Sequence, residues 1–282
     1  MSVTPELLAL SQKDLDIEEI QEHLHRHYDD IEDLISGVAE NQFHLIINGS
    51  PGMGKTEFTK DVLKKYVKGH NDIPPIPRPN FLSGTASGIK MFVELQKAKD
   101  EGQITVVDDT DKILEDTECL DLLKGCLDSQ GEKVVDWKKY STAIKNEDVK
   151  EKFVYNGRLI IITNKKIKTI QDDTANVSRL KLDPIMSRCQ YIRAGLPNNK
   201  FKIQALRMFH DGYKKQSRYN LRCFKDSNVP EDVQEQMMDF LDENQDRFSE
   251  LSFRTVAKLC DLWKFKPNKW DRLAKTSMFS QY

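Results

Sequence analysis

The sequence has 282 residues, with 43 Lys and Arg against 45 Asp and Glu and a formal net charge of −2. Hydrophobic residues make up 38% and charged residues 31%, and no apolar run approaches the about 18 residues that a membrane helix needs. These values argue against a membrane protein and against a surface that is basic throughout. The five cysteines show no Cys-x-x-Cys spacing, so we expect no disulfide framework, no zinc site and a cytoplasmic location.

Residues 1–41 are predicted to form an acidic helical extension. The first 40 residues contain eleven acidic and two basic residues, a net charge of −9. Their apolar residues recur at helical spacing, which predicts one or two amphipathic helices packed on the domain that follows. A segment of this charge repels DNA and is a candidate contact for a protein partner.

A phosphate-binding loop follows the first apolar run, HLIIN. The next residues, GSPGMGKT, match the pattern G-x-x-x-x-G-K-[ST], and an amphipathic helical stretch follows them. In this context the loop N–H groups surround a phosphate, the lysine neutralises β- and γ-oxygens, and the threonine hydroxyl binds Mg²⁺. We therefore predict ATP and Mg²⁺ as ligands. The predicted loop residues are Gly49, Ser50, Pro51, Gly52, Met53, Gly54, Lys55 and Thr56, and Thr56 is also a predicted metal ligand.

Two later apolar runs end in polar residues. ITVVDD ends in Asp108, which suits Mg²⁺, and Asp109, which is placed to orient or deprotonate an attacking water. The alternative is that these acids only cap the next helix. The run LIIIT is followed by Asn164, whose amide is a candidate partner for the γ-phosphate and for that water.

The spacing of the apolar runs predicts an α/β fold. Four short runs between Gln42 and Ile192 alternate with helix-like segments, which is typical of a parallel sheet with crossover helices. Two further short strands, KVVDW and KFVYN, are predicted before the LIIIT run. Beyond Pro197 the patterns are helical, so we expect a nucleotide-binding domain over 42–196 and a helical lid over 197–282.

The four motifs GSPGMGKT, VVDD, IIITN and DPIMSRCQYI stand in the order found in AAA+ ATPases, so the chain resembles this family of P-loop NTPases from about Gln42 to its end. The resemblance implies that Asn164 acts as sensor 1 and that Arg254 is similar to the sensor 2 arginine of the lid. It also implies that Arg188 reaches into the ATP site of a neighbouring subunit, with Arg179 and Arg193 as rival candidates. The expected assembly is then a ring or filament of identical subunits, with a hexamer as the expected ring.

The chain also shares features with superfamily 3 helicases of small DNA viruses and looks like AAA+ ATPases of phages and mobile elements. Like those helicases it has Asp-Asp where most AAA+ proteins have Asp-Glu, and the two short predicted strands occupy the place of their DNA-tracking hairpin. That similarity makes Lys138 and Lys139 candidate DNA contacts. The shorter Asp109 leaves its role as a base less secure than a glutamate would be.

Two functions of different class are compatible with these patterns. The first is an ATP hydrolase that moves, loads onto or remodels DNA, which basic clusters at 198–222 and 264–275 favour. The second is a nucleotide-switched assembly or scaffold acting on a protein partner, which the acidic first 40 residues favour. The basic clusters could contact phosphates or an acidic neighbouring subunit, and solvated surface is an equally good interpretation.

Overall fold

The computed structural model describes residues 3–70, 73–84, 87–109, 111–128, 132–137, 149–164, 183–214 and 221–280. The chain forms two compact units. The first contains Asp29–Gly49 and Lys55–Ala194, and the second contains Val3–Tyr28, Ser50–Gly54 and Gly195–Tyr282. The division of the chain into an extension, a nucleotide-binding domain and a lid stays a prediction.

The first unit is built on a five-stranded parallel sheet with the strand order β2-β3-β6-β1-β7. Its strands are β1 (Leu45–Asn48), β2 (Asn80–Ser83), β3 (Ile104–Asp108), β6 (Arg158–Thr163) and β7 (Gln190–Arg193). Every residue of β1 and β3 is buried, as expected for strands covered on both faces. The predicted α/β class, with a parallel sheet flanked by helices, is confirmed.

Helices connect these strands and cover the sheet of the first unit. They are the second part of α2 (Ile17–Ala39), α3 (Lys55–Val67), α4 (Gly88–Lys97) and α5 (Thr117–Leu127), with a 3₁₀ turn at Asp111–Leu114. The side chain of Asp116 caps α5 by accepting from the Cys119 N–H at 2.9 Å. Met91 and Phe92 of α4 pack with Leu120 and Leu123 of α5 in one buried cluster.

The two short strands predicted before the LIIIT run are confirmed. They are β4 (Val134–Asp136) and β5 (Lys152–Val154), which pair antiparallel. Between them, Lys138 and Lys139 lie outside the described residues, so their assignment as DNA contacts stays a prediction.

The second unit is helical. It contains α1 (Pro5–Leu10), the first part of α2, α6 (Asn199–Lys214), α7 (Arg222–Asp226), α8 (Glu231–Glu243), α9 (Phe253–Phe265) and α10 (Trp270–Met278). The N-terminal segment packs on α6, since the rings of Tyr28 and Phe209 lie 5.0 Å apart and Gln21 donates to Gln204. The predicted helices at both ends of the chain are confirmed. In the described residues, no helix is long and apolar enough to cross a membrane.

A buried histidine lies at the start of β1. His44 is 6% exposed, its Nδ1 accepts from the Leu159 N–H at 3.1 Å, and its Nε2 lies 3.4 Å from the Lys133 ammonium. Burial, and then the positive charges of Lys133 and Arg158, lower the pKa of His44 to about 3. The folded protein therefore keeps this imidazole neutral, whereas the unfolded chain protonates it near the ordinary pKa.

We expect the free energy of unfolding to fall as the pH is lowered from 6.5 towards 4, because only the unfolded chain binds a proton at His44 in this range. One such group contributes a slope of up to about 1.4 kcal/mol per pH unit. His44→Gln should flatten the slope measured by urea unfolding. His25→Gln, at an exposed position, should leave it unchanged, and an unaltered slope in the His44 variant would contradict the assignment.

Candidate phosphate-binding site

The sheet brings the ends of three motif-bearing strands together. β1 pairs with β6 in the register Asn48↔Thr163, and β3 pairs with β6 in the register Asp108↔Ile162. All three strands run parallel, so the residues that follow them emerge at the same edge. The N–H of Gly49, which opens the loop, also donates to the Thr163 carbonyl at 3.2 Å. Gly49, Asp108 and Asn164 therefore share one edge of the sheet.

The Lys55 ammonium lies among these residues at the start of α3. Its Nζ donates to Asn164 Oδ1 at 2.8 Å and to the Gly49 carbonyl at 2.9 Å. Both of these acceptors are neutral oxygens. The structure thus joins the lysine of the phosphate loop to the amide that follows β6, 109 residues later.

The two acids at the end of β3 contact different partners. Asp108 is 8% exposed, and its Oδ1 accepts from the Thr56 hydroxyl at 3.0 Å. Burial raises the pKa of Asp108, a shift that the Thr56 hydrogen bond opposes and the neighbouring charge of Asp109 reinforces. Asp109 is exposed and has a φ of 54°, in the left-handed region, and its Oδ1 accepts from Asn164 Nδ2 at 3.3 Å. The consecutive acids are therefore separated, one towards Thr56 and the other towards Asn164.

The Thr56–Asp108 pair fits a magnesium ion. A hydroxyl and a carboxylate are hard oxygen ligands, and Mg²⁺ uses one or two such side chains together with waters and substrate phosphates. A cation beside Asp108 would also offset the cost of burying that carboxylate. In the described parts of the chain, no group of three or more His, Cys, Asp or Glu residues could hold a metal by itself, and a shared site of this kind does not require one.

In the second unit, the middle of the loop packs against the beginning of α9. Gly52 and Gly54 have φ values of 76° and 75°, in the left-handed region that glycine enters at little cost. The Gly52 carbonyl accepts from the Phe253 N–H at 3.0 Å. A Cβ atom at Gly52 would lie 2.6 Å from Ser252 Oγ and 2.7 Å from Glu250 Oε1. The loop conformation is therefore matched to a specific contact with the helical unit.

The contacts of Glu250, Ser252 and Phe253 with the loop were missed by the sequence analysis. Ser252 and Thr255 form a capping box, and their spacing predicts a helix start but not what that start contacts. Arg254, the expected sensor 2 residue, is exposed in the first turn of α9, next to Phe253. Its predicted role stays untested, although its neighbour touches the loop.

The candidate finger arginines lie at different ends of β7. Arg188 comes two residues before β7 begins, at the opposite edge of the sheet from Gly49 and Asn164. Its Nη1 donates to the Pro184 carbonyl at 2.8 Å, and among the described residues its buried Nε has no hydrogen-bond partner. Arg193 is the last residue of β7, in register with Asn48, and lies over the Tyr191 ring at 5.5 Å. Arg179 lies outside the described residues. The structure therefore does not bring Arg188 to the Lys55 of its own chain.

A buried amide at the end of β1 is a further site feature that the sequence did not indicate. Asn48 is fully buried, its Nδ2 donates to the Thr163 carbonyl at 3.3 Å, and its Oδ1 accepts from the Tyr191 hydroxyl at 3.3 Å. These bonds tie β1 to both neighbouring strands one residue before the loop opens. A single Asn within an apolar run carries no sequence signal for this role.

We expect Gly52→Ala to weaken both folding and nucleotide binding. The left-handed backbone costs an alanine roughly 1–2 kcal/mol, and the new methyl group would collide with Ser252 and Glu250. Gly102→Ala is a matched control, since Gly102 has a φ of 78° but no atom within 4 Å of its Cβ position. Urea unfolding should show a larger loss of stability in Gly52→Ala than in Gly102→Ala, because only Gly52→Ala adds a collision to the backbone cost. Titration with a fluorescent ATP analogue should show lost affinity only in Gly52→Ala. If the two variants lose the same stability and the same affinity, the contact between the loop and α9 is not the cause of these losses.

No protein-family model matches the chain. It is 23% identical over 261 residues to an uncharacterized 36.7 kDa protein encoded in the nrdC-mobD intergenic region of Enterobacteria phage T4. The similarity covers 91% of this chain and 75% of the phage protein. It relates the chain to a phage protein along almost its whole length.

Proposed function

We propose that this protein is an AAA+-type ATPase, of phage origin and acting in the host cytoplasm. It hydrolyses ATP at the subunit interfaces of a ring or filament in order to move, load onto or remodel DNA or a nucleoprotein complex. One observation carries the proposal: Lys55, Asn164 and Asp109 form a continuous chain of hydrogen bonds at the sheet edge that also holds the Thr56–Asp108 pair. Residues from three separate motifs thus converge as an ATP site requires.

In this proposal the loop and α3 bind the triphosphate. The Lys55 ammonium would exchange its neutral acceptors, Gly49 and Asn164, for charged β- and γ-oxygens, which are stronger acceptors. Thr56 and Asp108 would hold Mg²⁺, which when bound neutralises phosphate charge. The contact of Gly52 with Phe253 supports the loop while these exchanges occur.

Asp109 and Asn164 would act on the attacking water. The Asp109 carboxylate is exposed at the sheet edge and is available to accept a proton from that water. Asn164 donates to Asp109 and accepts from Lys55, so its amide can respond to a γ-phosphate at Lys55 and orient Asp109. In this proposal Asn164 has a positioning role: its amide responds to the γ-phosphate and orients the Asp109 carboxylate, which acts as the base.

Arg188 supports a site completed by a second copy of the chain. It lies at the far edge of the sheet from its own Lys55, whereas the rival Arg193 lies at the same edge as Asn48 of its own chain. A guanidinium in this position is suited to a neighbour's triphosphate, where an arginine finger contributes about 10³–10⁵ in kcat. An isolated subunit should then hydrolyse ATP very slowly.

We expect Lys55→Ala to lose ATP binding, and Arg188→Ala to keep binding but lose about 10³-fold or more in turnover. Mixing the two inactive variants should restore ATPase activity, because an intact Lys55 site then meets an intact Arg188. In a randomly mixed ring, up to about a quarter of the interfaces would be complete.

Arg193→Ala is the comparison variant for this experiment, because Arg193 lies at the same edge as Asn48 of its own chain. If Arg193→Ala, rather than Arg188→Ala, loses turnover and is rescued by mixing, the finger is Arg193. If neither is rescued, hydrolysis does not depend on a second copy, and the interfacial part of the proposal is wrong.

The acidic face of α2 favours a second candidate function, a nucleotide-switched scaffold for a protein partner. Glu18, Glu19, Glu22, Asp30 and Asp33 are all exposed on this helix. Such a face repels DNA and attracts a basic protein surface. Titration of ATP-loaded protein with DNA at low and moderate salt separates the two functions, since binding to DNA phosphates weakens steeply with salt. Absence of DNA binding at low salt would favour the scaffold.

A further inference from the structure

Phe265, the last residue of α9, is unusually exposed. Its side chain is 70% exposed, and in the described part of the chain only one other large hydrophobic residue, Ile17 at 54%, is comparably open. A single exposed aromatic has no role in the helical core that α9 builds through Val256, Leu259 and Cys260. The residues around Phe265 therefore indicate which kind of ligand its ring could bind.

Exposed basic residues flank Phe265 in the sequence. We call the group the Phe265 patch, and its members are Lys264, Phe265, Lys266, Lys269 and Arg272. The Lys266 ammonium lies 5.3 Å from the centre of the Phe265 ring. Within the described chain, neither Lys266 nor Lys269 forms an ion pair with a carboxylate. The Lys264 ammonium donates to the Asp226 carbonyl at 3.3 Å. The patch therefore combines an exposed ring with the charges of Lys266 and Lys269, which no carboxylate in the described part of the chain pairs.

The other basic segment of the helical unit is different. Arg207 of α6 donates to Asp239 at 3.0 Å and to Asp242 at 3.1 Å, and Lys200 donates to the Leu15 carbonyl at 2.6 Å. These cations stabilise the unit internally. Lysines near the end of α9 also interact favourably with the helix dipole, but that effect gives no reason for an exposed phenylalanine among them.

The backbone that carries the patch is held in place. The Lys266 N–H donates to the Leu262 carbonyl at 2.9 Å, and the Lys269 N–H donates to the Lys266 carbonyl at 3.0 Å. Trp270, at the start of α10, is 8% exposed, and its ring packs 5.3 Å from that of Phe240. A ligand that stacks on Phe265 would therefore meet a surface that is already ordered, which lowers the entropic cost of binding.

We propose that the Phe265 patch binds single-stranded nucleic acid. An unpaired base stacks on the exposed ring while Lys266 and Lys269 contact the flanking phosphates, the combination used by sequence-tolerant single-strand binders. Duplex DNA offers the phosphates but keeps its base faces covered, so the exposed ring favours a single strand. The inference rests on the DNA-directed function proposed above, but the binding it describes needs no ATP.

The test uses the full-length protein and fluorescein-labelled oligo(dT) of 20 nucleotides, with binding followed by fluorescence anisotropy between 50 and 200 mM NaCl. Phe265→Ala should weaken binding about tenfold, because losing one base–aromatic stack typically costs about 5- to 150-fold. Phe265→Trp should keep the affinity. Lys266→Glu combined with Lys269→Glu should lower the slope of log affinity against log salt by about 1.4, corresponding to two lost phosphate contacts.

Two controls match these changes elsewhere on the surface. Ile17→Ala removes the other exposed hydrophobic side chain, and the pair Lys64→Glu and Lys68→Glu makes the same change in net charge at exposed positions in the first unit. Both controls should bind oligo(dT) as the wild type does. Circular dichroism of each variant checks that its helices are intact.

The outcomes separate this inference from the ATPase proposal. Oligo(dT) binding that persists in Lys55→Ala supports the patch even if no ATPase activity is found. If Phe265→Ala binds oligo(dT) as tightly as the wild type, the Phe265 patch is not the binding site, although DNA remains a possible target of the protein. The inference is also overturned if the charge-reversal variant changes only self-association in sedimentation, or only binding to vesicles containing phosphatidylserine, since the occupant would then be a second copy or a membrane.

Discussion

The parallel pairing of β6 with both β1 and β3 is the constraint on which the candidate site depends. It sets the loop that follows β1, the acids that end β3 and the amide that follows β6 at one edge of the sheet. Since β1 and β3 are buried on both faces, a one-residue shift of register would exchange the side chains that pack on the two faces and disrupt both sets of contacts. The relative positions of Lys55, Asp108 and Asn164 are therefore fixed by hydrophobic packing far more than by their own hydrogen bonds.

At that edge, the protein uses neutral groups to hold charged ones. Lys55 is bonded to a carbonyl and an amide, and Asp108 to a hydroxyl. Direct ion pairing of Lys55 with Asp108 would satisfy both charges within the protein and leave less attraction for a phosphate and its metal. These hydrogen bonds to neutral groups are compatible with a phosphate at Lys55 and a cation at Asp108, as the proposed ATP site requires.

Local patterns in the sequence predicted much of this arrangement, but they could not predict contacts between residues far apart in the chain. Strands β1, β3 and β6 were predicted because they are continuously apolar, whereas β2 was missed because only Leu82 of its four residues is buried. The loop glycines were predicted from their motif. The contact of Gly52 with Phe253, two hundred residues along the chain, was not predicted, because the sequence signals for a helix start do not indicate what that start contacts. The left-handed backbone conformation of Asp109 helps to separate the two acids. The sequence does not predict it, because aspartate adopts this conformation only somewhat more often than other residues do.

Helix α9 gives the two proposals a physical connection. Its first residue, Phe253, donates to the Gly52 carbonyl of the loop, and its last residue, Phe265, carries the basic patch. A helix of 13 residues spans about 20 Å, and its buried face is anchored by Val256, Leu259 and Cys260. The two proposals therefore depend on residues at opposite ends of one anchored helix, so a substitution that unfolds α9 would impair both.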